Sequence, residues 1–158
     1  MIEIPAGTHA KYELDKTTGL LRLDRVLYSA VHYPANYGFL PRTYCEDGDA
    51  LDVLVLCRES LVPLCIVDAR PIGVITMTDD MGRDDKIIAV AARDPEFKQI
   101  HEIGDVPRHR LRELKQFLLD YKTLEHKEVN VDDLKPRQDA MRVIRESIAM
   151  YQRDIKTS

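Results

Sequence analysis

Three aspartates stand close together directly before a short apolar run. Asp47, Asp49 and Asp52 fall within six residues, and Val53-Leu54-Val55-Leu56 follows them. Because side chains of an extended backbone alternate between its two sides, Asp47 and Asp49 are expected to point the same way, and Gly48 permits a tight bend. Such carboxylates repel one another unless solvent or a hard cation neutralises them. Oxygen-only ligation favours magnesium, calcium or manganese over zinc.

A second acidic segment lies further along the chain, between two predicted strands. It reads Asp79-Asp80-Met81-Gly82-Arg83-Asp84-Asp85-Lys86. In one interpretation it faces the first acidic segment across a barrel, and the two bind several hard cations together. In the other it is an acidic surface turn. The residues alone leave both interpretations open.

Known metal and nucleotide signatures do not account for these segments. In an EF-hand that began at Asp47, Asp52 would occupy the position of the invariant glycine, and Arg58 would occupy that of the bidentate glutamate. The sequence has no phosphate loop of the Walker type, no His-Glu zinc signature and no nucleophile elbow. An EF-hand is therefore excluded.

Basic and aromatic residues complete the set of candidate groups. Lysine and arginine interleaved with metal-binding carboxylates suit a phosphate substrate, because cations and metals must neutralise it together. Tyr33 and Tyr37 either donate hydroxyl hydrogen bonds to such a substrate or pack in the core. The basic candidates are Lys11, Arg25, Lys86 and Lys122.

The composition is that of a soluble globular chain. The 158 residues suffice for one domain, and 44% apolar with 32% charged residues argues against disorder. The net charge of −4 with interspersed signs argues against nucleic-acid binding, and no apolar run approaches the length of a membrane span. Without a signal-peptide pattern, and with three cysteines lacking metal-site spacing, we expect a cytoplasmic protein with reduced thiols.

The pattern of apolar residues predicts strands first and helices later. Residues 12–14 and 20–27 read as a hairpin, and the turn-rich residues 15–19 connect its strands. Later helices begin near Pro107 and after Pro136, and the apolar face of the second consists of Ala140, Ile144, Ile148 and Tyr151. This order predicts an α+β domain with a closed or partly closed barrel. Further strands are predicted at residues 51–56, 65–77, 86–92 and 128–131.

The ordered set of motifs resembles the family I soluble inorganic pyrophosphatases of the bacterial type. The resemblance spans essentially the whole chain, and we interpret residues 1–158 as a single domain of that family. It implies a distorted five-stranded OB-like β-barrel with two main flanking α-helices. The matching blocks are Glu3-Ile4-Pro5, Lys11-Tyr12-Glu13, Asp24-Arg25, Tyr33 to Phe39, Asp47 to Val55, Met77-Thr78-Asp79 with Gly82, Asp84 and Lys86, and Tyr121-Lys122.

The resemblance also implies a reaction and a role for each matching residue. The reaction is hydrolysis of pyrophosphate to two orthophosphates by direct attack of a metal-activated water, with Asp49 as the general base. The implied magnesium ligands are Asp47, Asp52, Asp79 and Asp84. The implied phosphate contacts are Lys11, Arg25, Tyr37, Lys86, Tyr121 and Lys122. The implied supporting residues are Glu3, Glu13 and Tyr33.

The resemblance implies cofactors and partners as well. Several Mg²⁺ ions are expected, with Mn²⁺ as a substitute, and a homohexamer is expected because bacterial members commonly form one. Neither nucleic acid nor a membrane is an expected partner. The chain departs from the family pattern at Ala50, where proline is usual, and between Glu3 and Lys11, where it is one residue short. Neither departure removes an expected metal or phosphate ligand.

Two hypotheses from other functional classes compete with the hypothesis that the protein is an enzyme. A barrel that binds nucleic acid without catalysis needs a basic face with exposed aromatic residues, whereas this chain concentrates carboxylates. A divalent-metal buffer would use the acidic segments only as ligands. The metal-buffer hypothesis does not explain why basic residues stand among the carboxylates, namely Lys11, Arg25, Lys86 and Lys122.

Overall fold

A computed structural model describes residues 1–155. The helices are α1, Arg108–Asp120, and α2, Arg137–Asp154, and short 3-10 turns span Pro95–Phe97, Ile103–Asp105 and Thr123–Glu125. Neither helix in these residues is long and apolar enough to cross a membrane. The strands are β1 Ile2–Ile4, β2 Ala10–Leu14, β3 Leu21–Val26, β4 Asn36–Phe39, β5 Asp52–Leu56, β6 Ala69–Asp79, β7 Gly82–Ala91, β8 Asn130–Val131 and β9 Lys135–Pro136.

The described strands form one mixed sheet and one separate hairpin. The sheet has seven strands in the order β1-β4-β5-β7-β6-β8, and β9 also pairs with β6. Only β5 and β7 pair in parallel, with Asp52 opposite Lys86; the other pairs are antiparallel. The predicted hairpin is confirmed as β2 paired with β3.

The central strand β5 is buried on both faces, which explains why its apolar run is continuous. Leu54 and Leu56 join the core cluster that contains Leu114 of α1. Val53 and Val55 join a second cluster on the other face with residues of α2. Each helix therefore covers one face of the sheet, and the predicted α+β class with two main helices is confirmed.

Both predicted helices are present, but α2 buries a different face from the predicted one. Ala140 and Ile144 are buried as expected, whereas Ile148 is 38% exposed and Ser147 is buried in its place. The Ser147 hydroxyl donates to the Val143 carbonyl at 2.9 Å, so its burial leaves no hydroxyl unsatisfied. The buried face of α2 is therefore rotated around the helix axis by about one residue from the face that the apolar residues predicted.

The second acidic segment forms the end of a hairpin and not a loop between strands. Strand β6 continues to Asp79 and β7 begins at Gly82, so only two residues form the turn. Gly82 has a φ of 116°, a conformation that glycine adopts without strain. The two predicted strands, which ended at residue 77 and began at residue 86, were therefore too short at the hairpin end. A prediction based on apolar residues does not detect the parts of a strand that carry charged residues.

Candidate active site

The predicted site residues surround one cavity of about 530 Å³. They come from the hairpin, from β1 and β4, from the two acidic segments and from the chain that follows α1. All of the predicted residues except Tyr33 line the cavity. The lining set is Glu3, Lys11, Glu13, Arg25, Tyr37, Asp47, Asp49, Asp52, Asp79, Asp84, Lys86, Tyr121 and Lys122.

A compact turn holds the first acidic segment. The Asp49 backbone N–H donates to Asp47 Oδ1 at 3.0 Å, and the Asp49 carbonyl accepts from the Cys45 N–H at 2.8 Å. Gly48 has a φ of 88°, which a residue with a side chain rarely adopts. Helix α2 anchors the start of the segment, since the Tyr44 N–H donates to the Ser147 carbonyl at 3.0 Å. The Asp49 carboxylate is left exposed at the cavity.

Lys86 lies at the base of the cavity and is only 2% exposed. Its ammonium donates to Asp52 at 2.7 Å, to Asp84 at 2.9 Å and to the Tyr37 hydroxyl at 2.8 Å. The Tyr37 hydroxyl in turn donates to Asp52. Burial acts to lower the pKa of Lys86, but Asp52, Tyr37 and Asp84 outweigh it and raise the pKa well above its ordinary value. Lys86 is therefore a fully paired buried cation.

Asp79 and Asp84, the two predicted metal ligands of the second acidic segment, differ in environment. Burial raises the pKa of Asp84, against the opposing effect of Lys86. Asp79 accepts from Lys122 at 2.6 Å. Burial acts to raise the pKa of Asp79 too, but Lys122 and the Met81 backbone N–H hold it below its ordinary value. Lysine ammonium groups therefore pair with Asp79 and Asp84, the two residues of this segment that were predicted to bind metal.

A β-bulge brings the hairpin cations together. Lys11 pairs with Arg25 and Tyr12 with Leu23, which leaves Asp24 as the extra residue. The Asp24 carboxylate accepts from Lys11 at 3.2 Å and from Arg25 at 2.6 Å. One carboxylate thus holds two cations side by side at the cavity wall, where they can bind an anion.

Glu3 lines the cavity, whereas Tyr33 lies behind the groups that face it. Glu3 Oε1 accepts from the Leu14 N–H at 2.8 Å and so ties β1 to the hairpin, and burial raises the pKa of Glu3. Tyr33 is 2% exposed and packs edge-on against Tyr37, with ring centroids 5.6 Å apart. Burial also raises the pKa of Tyr33, so its hydroxyl stays protonated.

Four charged residues that the sequence did not indicate belong to this site. Lys16 projects from the hairpin turn and donates to Asp49 at 2.8 Å. Glu125 lies 2.9 Å from Arg25. Arg83 and Lys127 line the cavity. A basic or acidic residue in a turn usually belongs to the solvated surface, so no sequence signal distinguished these.

The chemistry of the donor set suits hard divalent cations. Five aspartates face one cavity, and their carboxylate oxygens are the ligands that Mg²⁺ and related ions prefer. In residues 1–155, however, no three histidine, cysteine, aspartate or glutamate side chains converge as a preformed metal centre. Mg²⁺ usually needs only one or two carboxylates per ion, because water and substrate phosphates supply the other ligands. The residues therefore fit this kind of ion.

Known proteins with this sequence pattern share one activity in their names. The family model described as "Inorganic pyrophosphatase" matches residues 1–152. A soluble inorganic pyrophosphatase 2 of Chlamydomonas reinhardtii is 57% identical over 152 residues, which are 96% of this chain and 79% of that protein. A soluble inorganic pyrophosphatase of Oryza sativa subsp. indica is 54% identical over 151 residues, 96% of this chain and 71% of that protein.

Solved structures agree with this match. The inorganic pyrophosphatase of Thermus thermophilus superposes with a TM-score of 0.92 at 42% identity, and covers 96% of this chain and 88% of its own. That of Helicobacter pylori superposes with a TM-score of 0.93 at 42% identity, and covers 96% and 91%. The fold expected from the sequence resemblance is confirmed by these superpositions. The chain belongs to the inorganic pyrophosphatase family.

Proposed function

We propose that this enzyme, which hydrolyses inorganic pyrophosphate to phosphate, does so in the 530 Å³ cavity with Asp49 as the general base. The observation that carries the proposal is the convergence of carboxylates, cations and hydroxyl groups on one cavity from segments far apart in the chain. Asp49 is 71% exposed, so its carboxylate is accessible to water. Among the other cavity aspartates, Asp52, Asp79 and Asp84 are paired with buried or half-buried lysines, whereas Lys16, which contacts Asp49, is itself 71% exposed.

The phosphate groups of the substrate bind the cationic and hydroxyl side chains of the cavity. These groups neutralise and position pyrophosphate. Asp49 accepts a proton from the attacking water, the new oxygen–phosphorus bond forms, and the bridging oxygen–phosphorus bond breaks. Positive charge then stabilises the leaving phosphate. The proposed contacts are Lys11, Arg25, Tyr37, Lys86, Tyr121 and Lys122.

The family implies a divalent metal ion, and we infer that it is Mg²⁺, with Mn²⁺ as a substitute. Several ions are expected, held by Asp47, Asp52, Asp79 and Asp84. When bound, such ions neutralise phosphate charge and make a coordinated water more acidic. Glu3, Glu13 and Tyr33 support the site, and the hydrogen bond from Leu14 to Glu3 and the packing of Tyr33 on Tyr37 are consistent with that role.

A substitution at the proposed base tests this assignment. Asp49→Asn preserves the size of the side chain but cannot accept the proton, so we expect kcat to fall about a hundredfold or more. Phosphate release from pyrophosphate, measured with Mg²⁺ and again after chelation by EDTA, checks both the base and the metal. Unchanged turnover in Asp49→Asn would remove Asp49 from this role, and undiminished release in EDTA would remove the metal requirement.

We further infer that residues 1–158 form one domain, that the protein is cytoplasmic and that it forms a homohexamer. The shared sheet between the two core clusters supports the single domain. The three free cysteines, Cys45, Cys57 and Cys65, are consistent with a reducing compartment. Exposed apolar side chains, among them Val62 at 71% and Ile66 at 86%, are consistent with contacts between copies of the chain.

A further inference from the structure

Glu125 makes a half-buried ion pair with Arg25 across a separation of 100 residues. Its Oε1 lies 2.9 Å from Arg25 Nε, and its Oε2 lies 3.3 Å from Nη2. The Glu125 side chain is 11% exposed and the Arg25 side chain 23%. Nη2 donates a hydrogen bond, whereas Nε is in ionic contact without one. This contact at two atoms restrains the plane of the guanidinium, and because the pair is half-buried, solvent screens its attraction only weakly.

The other terminal nitrogen of the Arg25 guanidinium, Nη1, also makes a hydrogen bond. Arg25 Nη1 donates to Asp24 at 2.6 Å. A guanidinium has five N–H groups: Glu125 accepts from one on Nη2 and Asp24 from one on Nη1, while the buried Nε makes no hydrogen bond. One N–H on each of the two terminal nitrogens is left for a ligand in the cavity that Arg25 lines. The carboxylates of Asp24 and Glu125 thus orient the N–H groups of the two terminal nitrogens that remain free.

The backbone around Glu125 places it for this contact. Glu125 ends the short 3-10 turn Thr123–Glu125, directly after Tyr121 and Lys122, which line the cavity. His126 follows in the left-handed conformation with a φ of 58° and ends the turn, its N–H donating to the Thr123 carbonyl. The Glu125–Arg25 pair therefore joins the hairpin to the segment that carries Tyr121 and Lys122.

We propose that Glu125 is a positioning residue for substrate binding: it holds the Arg25 guanidinium in the orientation that receives a phosphate group of pyrophosphate. This inference rests on the proposed role of Arg25 as a phosphate contact. Without Glu125, Arg25 keeps its charge but loses the partner that sets its plane, so ground-state binding is expected to suffer more than the chemical step.

A double-mutant cycle tests the proposal. Glu125→Gln preserves the size of the side chain and removes its charge, and we expect KM for pyrophosphate to rise about tenfold while kcat stays within about twofold. Adding Glu125→Gln to Arg25→Ala is expected to cause no further rise in KM, because Glu125 acts through Arg25. Glu125→Asp, which retains the charge, is expected to recover part of the loss. The matched control is Glu146→Gln, which removes an exposed partner of Arg142 on α2 and is expected to leave KM unchanged.

The outcomes separate the two proposals. If Arg25→Ala raises KM but Glu125→Gln leaves it within twofold of the wild type, the role of Glu125 is wrong and that of Arg25 stands. If both effects multiply in the double variant, Glu125 does not act through Arg25. If Arg25→Ala changes neither constant, the phosphate role of Arg25 fails and the role of Glu125 fails with it. Urea unfolding of each variant confirms that the kinetics are measured on folded protein.

Discussion

At the scale of single residues, Lys86 decides the charge balance of the site. It contacts two carboxylates and a hydroxyl and is nearly inaccessible to solvent. Its three N–H donors therefore have three acceptors, and its buried charge is compensated. Asp52 and Asp84 in turn depend on Lys86 for neutralisation when no divalent cation is bound.

Replacement of Lys86 should expose that dependence. In Lys86→Met the two carboxylates lose their shared cation, and we expect the free energy of unfolding in EDTA to fall by about 3 kcal/mol or more. Added Mg²⁺ should restore part of the loss, because it supplies the missing positive charge. Urea denaturation with and without Mg²⁺ measures both effects.

The matched control removes a lysine with an exposed partner. Lys115 contacts Asp133, whose side chain is 99% exposed. Lys115→Met is expected to change stability by less than about 1 kcal/mol. An equally small effect of Lys86→Met would show that the buried cation is not needed for stability.

Glu3 should make stability depend on pH. Burial raises its pKa above the ordinary 4.5, so the native state binds a proton more readily than the unfolded state does. Stability is then lost as the pH rises from the unfolded pKa through the native one. In Glu3→Gln this loss is absent, so we expect the variant to gain stability over the wild type as the pH rises from 4 to 8. Urea midpoints in EDTA measure the difference, and a difference that shrinks with rising pH contradicts the assignment.

At the scale of elements, the alternation of β7 decides which acidic residues enter the site. Asp84 and Lys86 point to the cavity side, where they contact one another. Asp85 points to the other side and accepts from Thr76 and Arg83. In a loop these carboxylates would not alternate between two sides. The strand conformation therefore determines which of them face the cavity.

Gly38 lets β1 pack closely against β4, the strand that carries Tyr37. A Cβ at residue 38 would lie 1.9 Å from the Met1 carbonyl oxygen, which is backbone and cannot move aside. We expect Gly38→Ala to lower the free energy of unfolding by about 3 kcal/mol and to reduce activity, because Tyr37 is the adjacent residue. Thermal unfolding and phosphate release measure the two effects.

Gly104 is the matched control for that substitution. A Cβ there meets nothing within 4 Å, and its φ is not positive. Gly104→Ala is expected to leave both stability and activity near those of the wild type. If Gly38→Ala and Gly104→Ala have equal effects on stability and activity, the packing of β1 does not require a glycine at residue 38.

At the scale of the whole molecule, the two helices and the sheet between them form the two apolar cores. The helices cover opposite faces of the sheet, and α2 contacts the first acidic segment through the Ser147 carbonyl. Apolar side chains outside both cores remain exposed, including Tyr28 at 64% and Ile66 at 86%. Such side chains are the ones that an oligomer would cover.

The proposed homohexamer gives a direct measurement. Light scattering coupled to size-exclusion chromatography should return six times the mass of the single chain. Because association buries apolar surface, dilution should lower the thermal unfolding temperature. A mass equal to one chain at all concentrations would contradict the hexamer.

The sequence predicted much of the fold and of the site, for reasons that differ between residues. The apolar run of β5 and the helical spacing around Leu114 are local patterns, and both appeared where expected. Strand β1 has only three residues, and Asp84 lies in a charged stretch of β7, so neither formed a recognisable strand pattern. The buried face of α2 was predicted wrongly because Ser147, a polar residue, is buried: carbonyls of its own helix satisfy its hydroxyl.

By itself the sequence determined which residues are present and in what order, and this sufficed to identify the family and the candidate groups. Only the tertiary structure decided which of these residues contact one another. Lys86 contacts Asp52 because β5 and β7 pair in parallel at that register. Glu125 reaches Arg25 because a turn after α1 returns the chain to the hairpin. Contacts between such distant positions depend on strand register and chain reversal, which no local pattern specifies.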